Sequence, residues 1–359
     1  MNSTLLQPGE GAIAGRHLLT STTETVSWGW LPNEKSTPCL TMDSGDTVTI
    51  DTLSHEGILP DQGRNPVEFL GSYGVEATDV LHDATAIAGS GIPHGPDDGP
   101  HVVTGPIEIA GAEPGDVLKI DVLELLPRTP YGFVSSRHGY SALPDELPEG
   151  PGATYEFCRV GLSGGRMVSW MAASDGRQAC FPLDPFLGLM GVAPATDEPV
   201  HSVPPGDFGG NIDVKWAQVG SSLYLPVSVP GALFYTGDPH YAQGNGEVAL
   251  TALEASLRAT LRLTVLSGAD ATAATGSLRN PLLESPGYWI PTGMDPDLGE
   301  AMRKCVRHAI TFLVERFGFE RSTAMAYLSA AGDFEVSQVV DKTKGVHCMI
   351  RKADFAQWF

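Results

Sequence analysis

The chain of 359 residues is short of positive charge, with 22 Lys and Arg against 43 Asp and Glu and a formal net charge of -21. A surface of that sign repels phosphate backbones, and no basic run offers a local exception, so nucleic acid is not expected as a partner. Charged residues of both signs reach only 18%, too few for a coiled coil or a disordered chain. Cysteine is scarce as well. Cys39, Cys158, Cys180, Cys305 and Cys348 are scattered, odd in number and free of any C-x-x-C pair. They signal neither a structural zinc site nor a disulfide framework. Residues 1–16 lack an apolar signal core, and no run of about 20 apolar residues occurs elsewhere. A soluble, cytoplasmic protein without a membrane partner is expected. Tandem repeats and low-complexity tracts are missing too.

What the chain has in quantity is turn chemistry, with 42 Gly and 28 Pro beside 42% hydrophobic residues. That mixture predicts a folded, mainly β protein. Residues 25–28 alternate, and the run 38–42 leads into Asp43-Ser44-Gly45-Asp46 and a further alternating run at 47–51, so Ser44-Gly45-Asp46 reads as a hairpin turn. Residues 55–100 form a long polar, glycine-rich excursion. Strands are expected at 102–109, 116–125, 154–160, 166–172, 247–253 and 256–266. Helical spacing is confined to the end of the chain. Leu298, Met302, Val306, Ile310 and Leu313 mark a helix over 296–317, and a second is expected at 321–331 with Ser322 as its N-cap. Residues 334–340 and 345–350 return to β. Approximate regions are 1–180 (β-rich), 181–268 (central β, carrying the site) and 269–359 (a small α+β portion).

The chemistry concentrates in residues 209–247. Gly209-Gly210-Asn211-Ile212-Asp213 precedes an apolar run at 223–235, read as a hairpin, and Gly237-Asp238-Pro239-His240-Tyr241 through Gly246-Glu247 follows it. Asp238 and His240 are both first-row metal ligands, and alternate residues of an extended segment point the same way. Glu247 can fold back after the Gly-Asn-Gly turn, and Asp213 joins if the ends of the run meet. Histidine plus carboxylates suits zinc in an open site. The plainer alternative is that Asp213 and Asp238 cap turns and His240 is structural. His101, at a strand start, is more often structural when taken singly, and His55 does not rise above the other loop histidines. Gly161-Leu162-Ser163-Gly164-Gly165 matches G-x-S-x-G in form, but a return strand rather than a helix follows it. Gly244-Asn245-Gly246 matches a dinucleotide fingerprint without the strand that should precede it.

Several segments taken together resemble the acetamidase/formamidase family. They include Glu24-Thr25-Val26-Ser27-Trp28-Gly29, His101-Val102-Val103-Thr104-Gly105-Pro106-Ile107, Gly209-Gly210-Asn211-Ile212-Asp213, Gly237-Asp238-x-His240 and Ala242-Gln243-Gly244-x-Gly246-Glu247. They are collinear over residues 24–254. The resemblance implies a β-sandwich plus a barrel-like β region, often dimeric, with a bound divalent metal, often zinc. It also implies hydrolysis of small amides, bicyclic γ-lactams among them. Tyr241 and Asn245 stand where the family commonly has Ala and Asp, which points to a reshaped pocket. On this reading Asp213, Asp238 and His240 hold the metal, and Glu247 either completes the shell or acts as general base. His101 is a second acid or base, and Asn211 and Tyr241 meet the substrate. A serine hydrolase using Ser163 and a non-catalytic β-rich binding protein stand as alternatives.

Overall fold

A long antiparallel ladder joins strand Val117–Pro127 to strand Leu257–Leu266 in the computed structural model, which describes residues 5–358. Its inner face carries Leu118, Ile120 and Val122 opposite Leu257, Ala259, Leu261 and Leu263, all buried, because every second side chain of a strand faces one way. This ladder is the centre of a nine-stranded sheet. On one side lie Thr47–Asp51 and His17–Thr20; on the other lie Ser222–Pro226, Leu282–Glu284, Tyr288–Asp295, Lys344–Arg351 and Asp333–Gln338. An eleven-stranded sheet is built around Phe234–Ala242, which pairs with Phe186–Gly191, Leu253–Glu254 and Val102–Ala110. A shared core including Ile50, Ile120 and Leu261 from one sheet and Ile107, Phe186 and Phe234 from the other makes them a sandwich. Neither sheet closes into a barrel. No helix among the described residues is long and apolar enough to cross a membrane.

Several expected partnerships differ. The 223–235 run is not a hairpin: Ser222–Pro226 lies in the nine-stranded sheet and Phe234–Ala242 in the other. Pro226 ends the first strand, and Gly231, Ala232 and Leu233 in succession take left-handed backbones that swing the chain across. Ser44-Gly45-Asp46 likewise joins Leu40–Asp43 to Thr47–Asp51 across the two sheets rather than within a hairpin. Residues 247–252 are loop, and the strand begins only at Leu253. The 55–100 excursion contains helices Pro66–Gly71 and His82–Ala88, one to two turns each, too short to show a helical period. Gly268–Thr275 is a further short helix.

The helix Leu298–Phe317 is capped by Asp297, whose side chain accepts from the Glu300 N–H, and ends at Gly318. Its buried face is rotated from the expected one. Ala301, Cys305, Ala309, Phe312 and Leu313 pack inward, whereas Leu298 and Met302 are more than one-third exposed. The reason is Gly293: a Cβ there would lie 2.2 Å from the Cys305 backbone N, so the strand accepts the helix backbone itself. The helix Arg321–Ala331 has Glu320, not Ser322, in the N-cap position.

Candidate functional site

Strand Phe234–Ala242 is buried from Phe234 to Tyr241, and its polar side chains meet in one place. On the ladder with Phe186–Gly191, His240 opposes Phe186, Pro239 opposes Leu187 and Gly237 opposes Leu189; the pair between them, Gly188 and Asp238, is skipped. Asp238 sits there with a left-handed backbone, φ 48. A Cβ on Gly188 would fall 2.4 Å from Asp213 Oδ1, 2.6 Å from His240 Cε1 and 2.8 Å from Asp238 Oδ2. The missing side chain is therefore what lets these groups converge. Asp213 is anchored beside it, its N–H donating to the Gly188 carbonyl at 3.1 Å. Across the other edge, His240 opposes Glu254.

The result is a cluster of donors aimed at common points rather than at each other. His240 Nε2 lies 2.9 Å from Asp238 Oδ2 and 3.0 Å from Glu254 Oε1, yet neither ring nitrogen makes a hydrogen bond. Asp238 Oδ1 lies 3.6 Å from His55 Nδ1 and 3.7 Å from His101 Nε2. Three groups each gather possible ligand atoms within 4.8 Å of one another: Asp238, His240 and Glu254; His55, His101 and Asp238; Asp213, His240 and Glu247. Asp213 and Glu247 repeat the left-handed backbone of Asp238, with φ 47 and 45. Three such residues at one place cost about 1–3 kcal/mol each, a strain that gathers at functional sites. Both Asp213 carboxylate oxygens, Glu247 Oε2, Glu254 Oε2 and Asn211 Oδ1 are buried without a hydrogen-bond partner.

Electrostatics gives the same picture. Burial, then the neighbouring charges of Glu247, Asp341 and Asp238, hold the Asp213 carboxyl well above its ordinary range. Burial and Asp341 do the same to Glu247, and burial with the charges of Asp238 and Glu254 pushes Asp341 up to about 7. Burial also opposes the charge on His240, but the Glu254 and Asp238 carboxylates outweigh it and raise its pKa. His55 is raised to about 10, its burial outweighed by Asp238 and Glu56. His101 is lowered to about 4 by burial, reinforced by the charges of His55 and His240. Five carboxylates crowd three imidazoles at one buried place, an arrangement a divalent cation would neutralise. The donor chemistry, imidazole nitrogens and carboxylate oxygens with free lone pairs, fits such an ion.

A cavity of about 520 Å³ opens on the cluster, with His55, His101, Asn211, Asp238, Glu247, Glu254 and Asp341 in its lining. A sequence profile of the acetamidase/formamidase family matches residues 97–200 and 195–351, which include every one of these but His55. The chain belongs to the acetamidase/formamidase family. It is 26% identical over 302 residues to a formamidase of Methylophilus methylotrophus, spanning 67% of this chain and 73% of that one. It is 28% identical over 198 residues to an acetamidase of Mycolicibacterium smegmatis, spanning 41% and 49%. An acetamidase structure from Yersinia enterocolitica superposes with a TM-score of 0.74 at 25% identity, over 99% of this chain and 95% of that one. The fold extends to a γ-lactamase from Delftia acidovorans, with a TM-score of 0.55 at 19% identity over 94% and 93%.

Within this family member, the structure brings Asp213, Asp238, His240 and Glu247 together and sets His101 and Asn211 on the same cavity. Tyr241 goes elsewhere. Its hydroxyl donates to the Thr129 carbonyl at 2.8 Å inside the core, so it does not line the cavity. The physical reason is the strand period, which turns residue 241 away from the face shared by 238 and 240. Asn245 is exposed and donates to Glu335. Ser163 is exposed at the end of strand Ala153–Ser163, at a hairpin turn with Arg166–Ala172 and no helix after it. The serine nucleophile reading loses its structural context there.

Four cluster residues escape the sequence reading. Glu254 had a signal, a lone carboxylate in the apolar stretch Ala252-Leu253-Glu254-Ala255. His55 had a weaker one, the adjoining Glu56, whose Oε1 lies 3.4 Å from His55 Nε2. Asp341 comes from the C-terminal region and is brought in by a seam in which Gly246 N–H donates to Ser337 O and Val339 N–H to Gly246 O. Gly188 carries no side-chain signal at all.

Proposed function

We propose that this amidohydrolase cleaves the C–N bond of a small amide, linear or cyclic, at the His240–Asp238–Glu254 cluster, with a divalent cation, zinc by its donor set, as cofactor. The observation that carries the reading is His240 Nε2, in contact with two carboxylates and hydrogen-bonded to neither. Asp238, His240 and Glu254 would hold the cation, with Asp213 and Glu247 on one side and His55 and His101 on the other. A cation so held polarises the amide carbonyl and lowers the pKa of water.

The chain's own groups supply the rest. His101 is neutral at pH 7 and is oriented by Ser202 Oγ, 2.9 Å from its Nδ1. When Nδ1–H donates to that oxygen, Nε2 presents a lone pair that takes a proton from the attacking water. Glu247, in the lining of the same cavity, is placed to pass a proton to the departing nitrogen. Asn211 donates from its side-chain amide to the carbonyl oxygen as negative charge develops there. Burial of all these groups excludes bulk water from the exchange.

Ammonia release from short amides and lactams, with elemental analysis of the same sample, tests the proposal. Stoichiometric divalent metal and turnover lost on chelation are expected. Full turnover in a metal-free sample overturns the cofactor assignment, and a folded His240→Ala variant with native turnover overturns the site.

A further inference from the structure

The cavity is much larger than the smallest amides require. Formamide and acetamide have three and four non-hydrogen atoms; at about 30 Å³ for a water-sized unit they fill roughly 90–120 Å³. The cavity measures about 520 Å³. Space of that size suits a ligand several times larger, even after room is left for a cation and its waters. The charged groups in the outer lining, Asp61, Asp97, Asp98, Arg137 and Lys342, carry both signs, and Asp61 is held by Arg137 at 2.7 Å, so they do not select one sign of ligand.

Beside polar residues such as His94, His201 and Thr251, the wall carries apolar residues, and the loops that carry the chemistry also carry them. Leu59 follows His55, Val203 adjoins Ser202, Leu250 follows Glu247 and Val340 adjoins Asp341; all four line the cavity. Leu250 has φ 115, a conformation that a branched side chain rarely adopts and that glycine would adopt freely. The leucine at that position places apolar surface beside the cluster despite the backbone strain.

Building on the amide hydrolysis proposed above, we infer that the substrate is an amide or lactam whose non-reacting part is an apolar body of about five or more carbon atoms, seated against Leu59, Val203, Leu250 and Val340. The test is the kcat/KM of the metal-loaded enzyme for acetamide, butyramide and hexanamide, read by ammonia release. A rise of about tenfold or more from acetamide to hexanamide is expected, since added methylenes gain contact in an apolar pocket. A flat or falling series with acetamide turned over overturns this inference and leaves amide hydrolysis standing. No turnover of any of the three overturns both. Leu250→Gly relaxes the backbone, so the variant folds; its hexanamide-to-acetamide ratio falls about tenfold, mainly through KM for hexanamide. An unchanged ratio removes Leu250 from the substrate wall.

Discussion

Two clusters of fully buried charge lie in this protein, and they are built on opposite principles. In the first, two guanidiniums meet two carboxylates. Arg258 grips Asp51 with two N–H···O contacts of 2.6 and 2.8 Å and donates to the carbonyls of Glu10 and Ala12. Arg128 donates to Asp83 at 2.7 Å and to the Thr52 and Leu6 carbonyls. The charges balance and, apart from Arg128 Nη2, every guanidinium nitrogen is used. In the second, Asp213, Asp238, Glu247, Glu254 and Asp341 face His55, His101 and His240, carboxyls outnumber imidazoles, and orphaned lone pairs abound. Buried charge alone marks neither structure nor function. Complementarity does: the matched cluster clips residues 6–12 to the core, and the mismatched one calls for something more positive than the chain supplies.

The comparison breaks most visibly at Asp238, which like His240 is shared by two of the ligand groups. Asp238→Ala is expected to lower amide turnover about a thousandfold or more, because it touches both His240 and the His55–His101 side. After chelation its melting temperature should fall as well, because burial opposes the Asp238 charge but His240 and His101 outweigh it and hold the carboxyl well below its ordinary range, so the carboxylate stabilises the folded protein. More than a tenth of native turnover in this variant would place the reaction elsewhere. Arg258→Met probes the matched cluster. It strands the Asp51 carboxylate and should cost about 3–5 kcal/mol of stability by urea unfolding, with turnover per folded molecule unchanged. A loss below about 1 kcal/mol would show that the balanced cluster is not structural in the way argued. Gly188→Ala comes next. Its Cβ must displace Asp213 Oδ1 or His240, and a shift of an ångström in a catalytic group lowers turnover about a hundredfold. Calorimetric titration with zinc should show weakened binding, and native affinity would mean that the convergence does not depend on the glycine.

These two clusters also show what a sequence exposes. Asp238-x-His240 is legible because ligand types two apart on a strand share a face, and the same period, carried one residue further, turns Tyr241 into the core. Asp213 and Glu247 are legible from their glycine neighbours, although the left-handed backbone that aims them is not. Gly188 is illegible in principle, since its contribution is empty space. Glu254 and His55 are ordinary residue types whose meaning comes from register and from the approach of distant loops. The fold divides in the same way. Alternation identifies Val102–Ala110 and Val117–Pro127 as strands, but it cannot tell which sheet each joins, so turns that cross between sheets read as hairpins. In helix Leu298–Phe317 the ends follow from Asp297 and Gly318. Its buried face does not, because contact with Gly293 favours small Ala301 and Cys305 over the larger apolar side chains.

The finest distinction between the clusters is their response to pH, and Asp341 reports it. Its folded pKa, about 7, stands above the ordinary 3.8 of an aspartate, with burial the first cause and the Asp238 and Glu254 charges behind it. A carboxyl raised in this way prefers its proton in the folded state. Its destabilising effect is therefore absent below about pH 4 and grows as pH rises towards 7. Asp341→Asn removes the charge, so the chelated variant should be more stable than the chelated parent at pH 7 by on the order of 1–2 kcal/mol, with the gap closing near pH 4. Zinc should shrink the same gap at pH 7, because a bound cation relieves the repulsion that the substitution relieves. Urea midpoints of both proteins at the two pH values, with and without zinc, measure this. A gap that is independent of pH and of the ion would make Asp341 an ordinary buried acid, and would place it with the matched cluster.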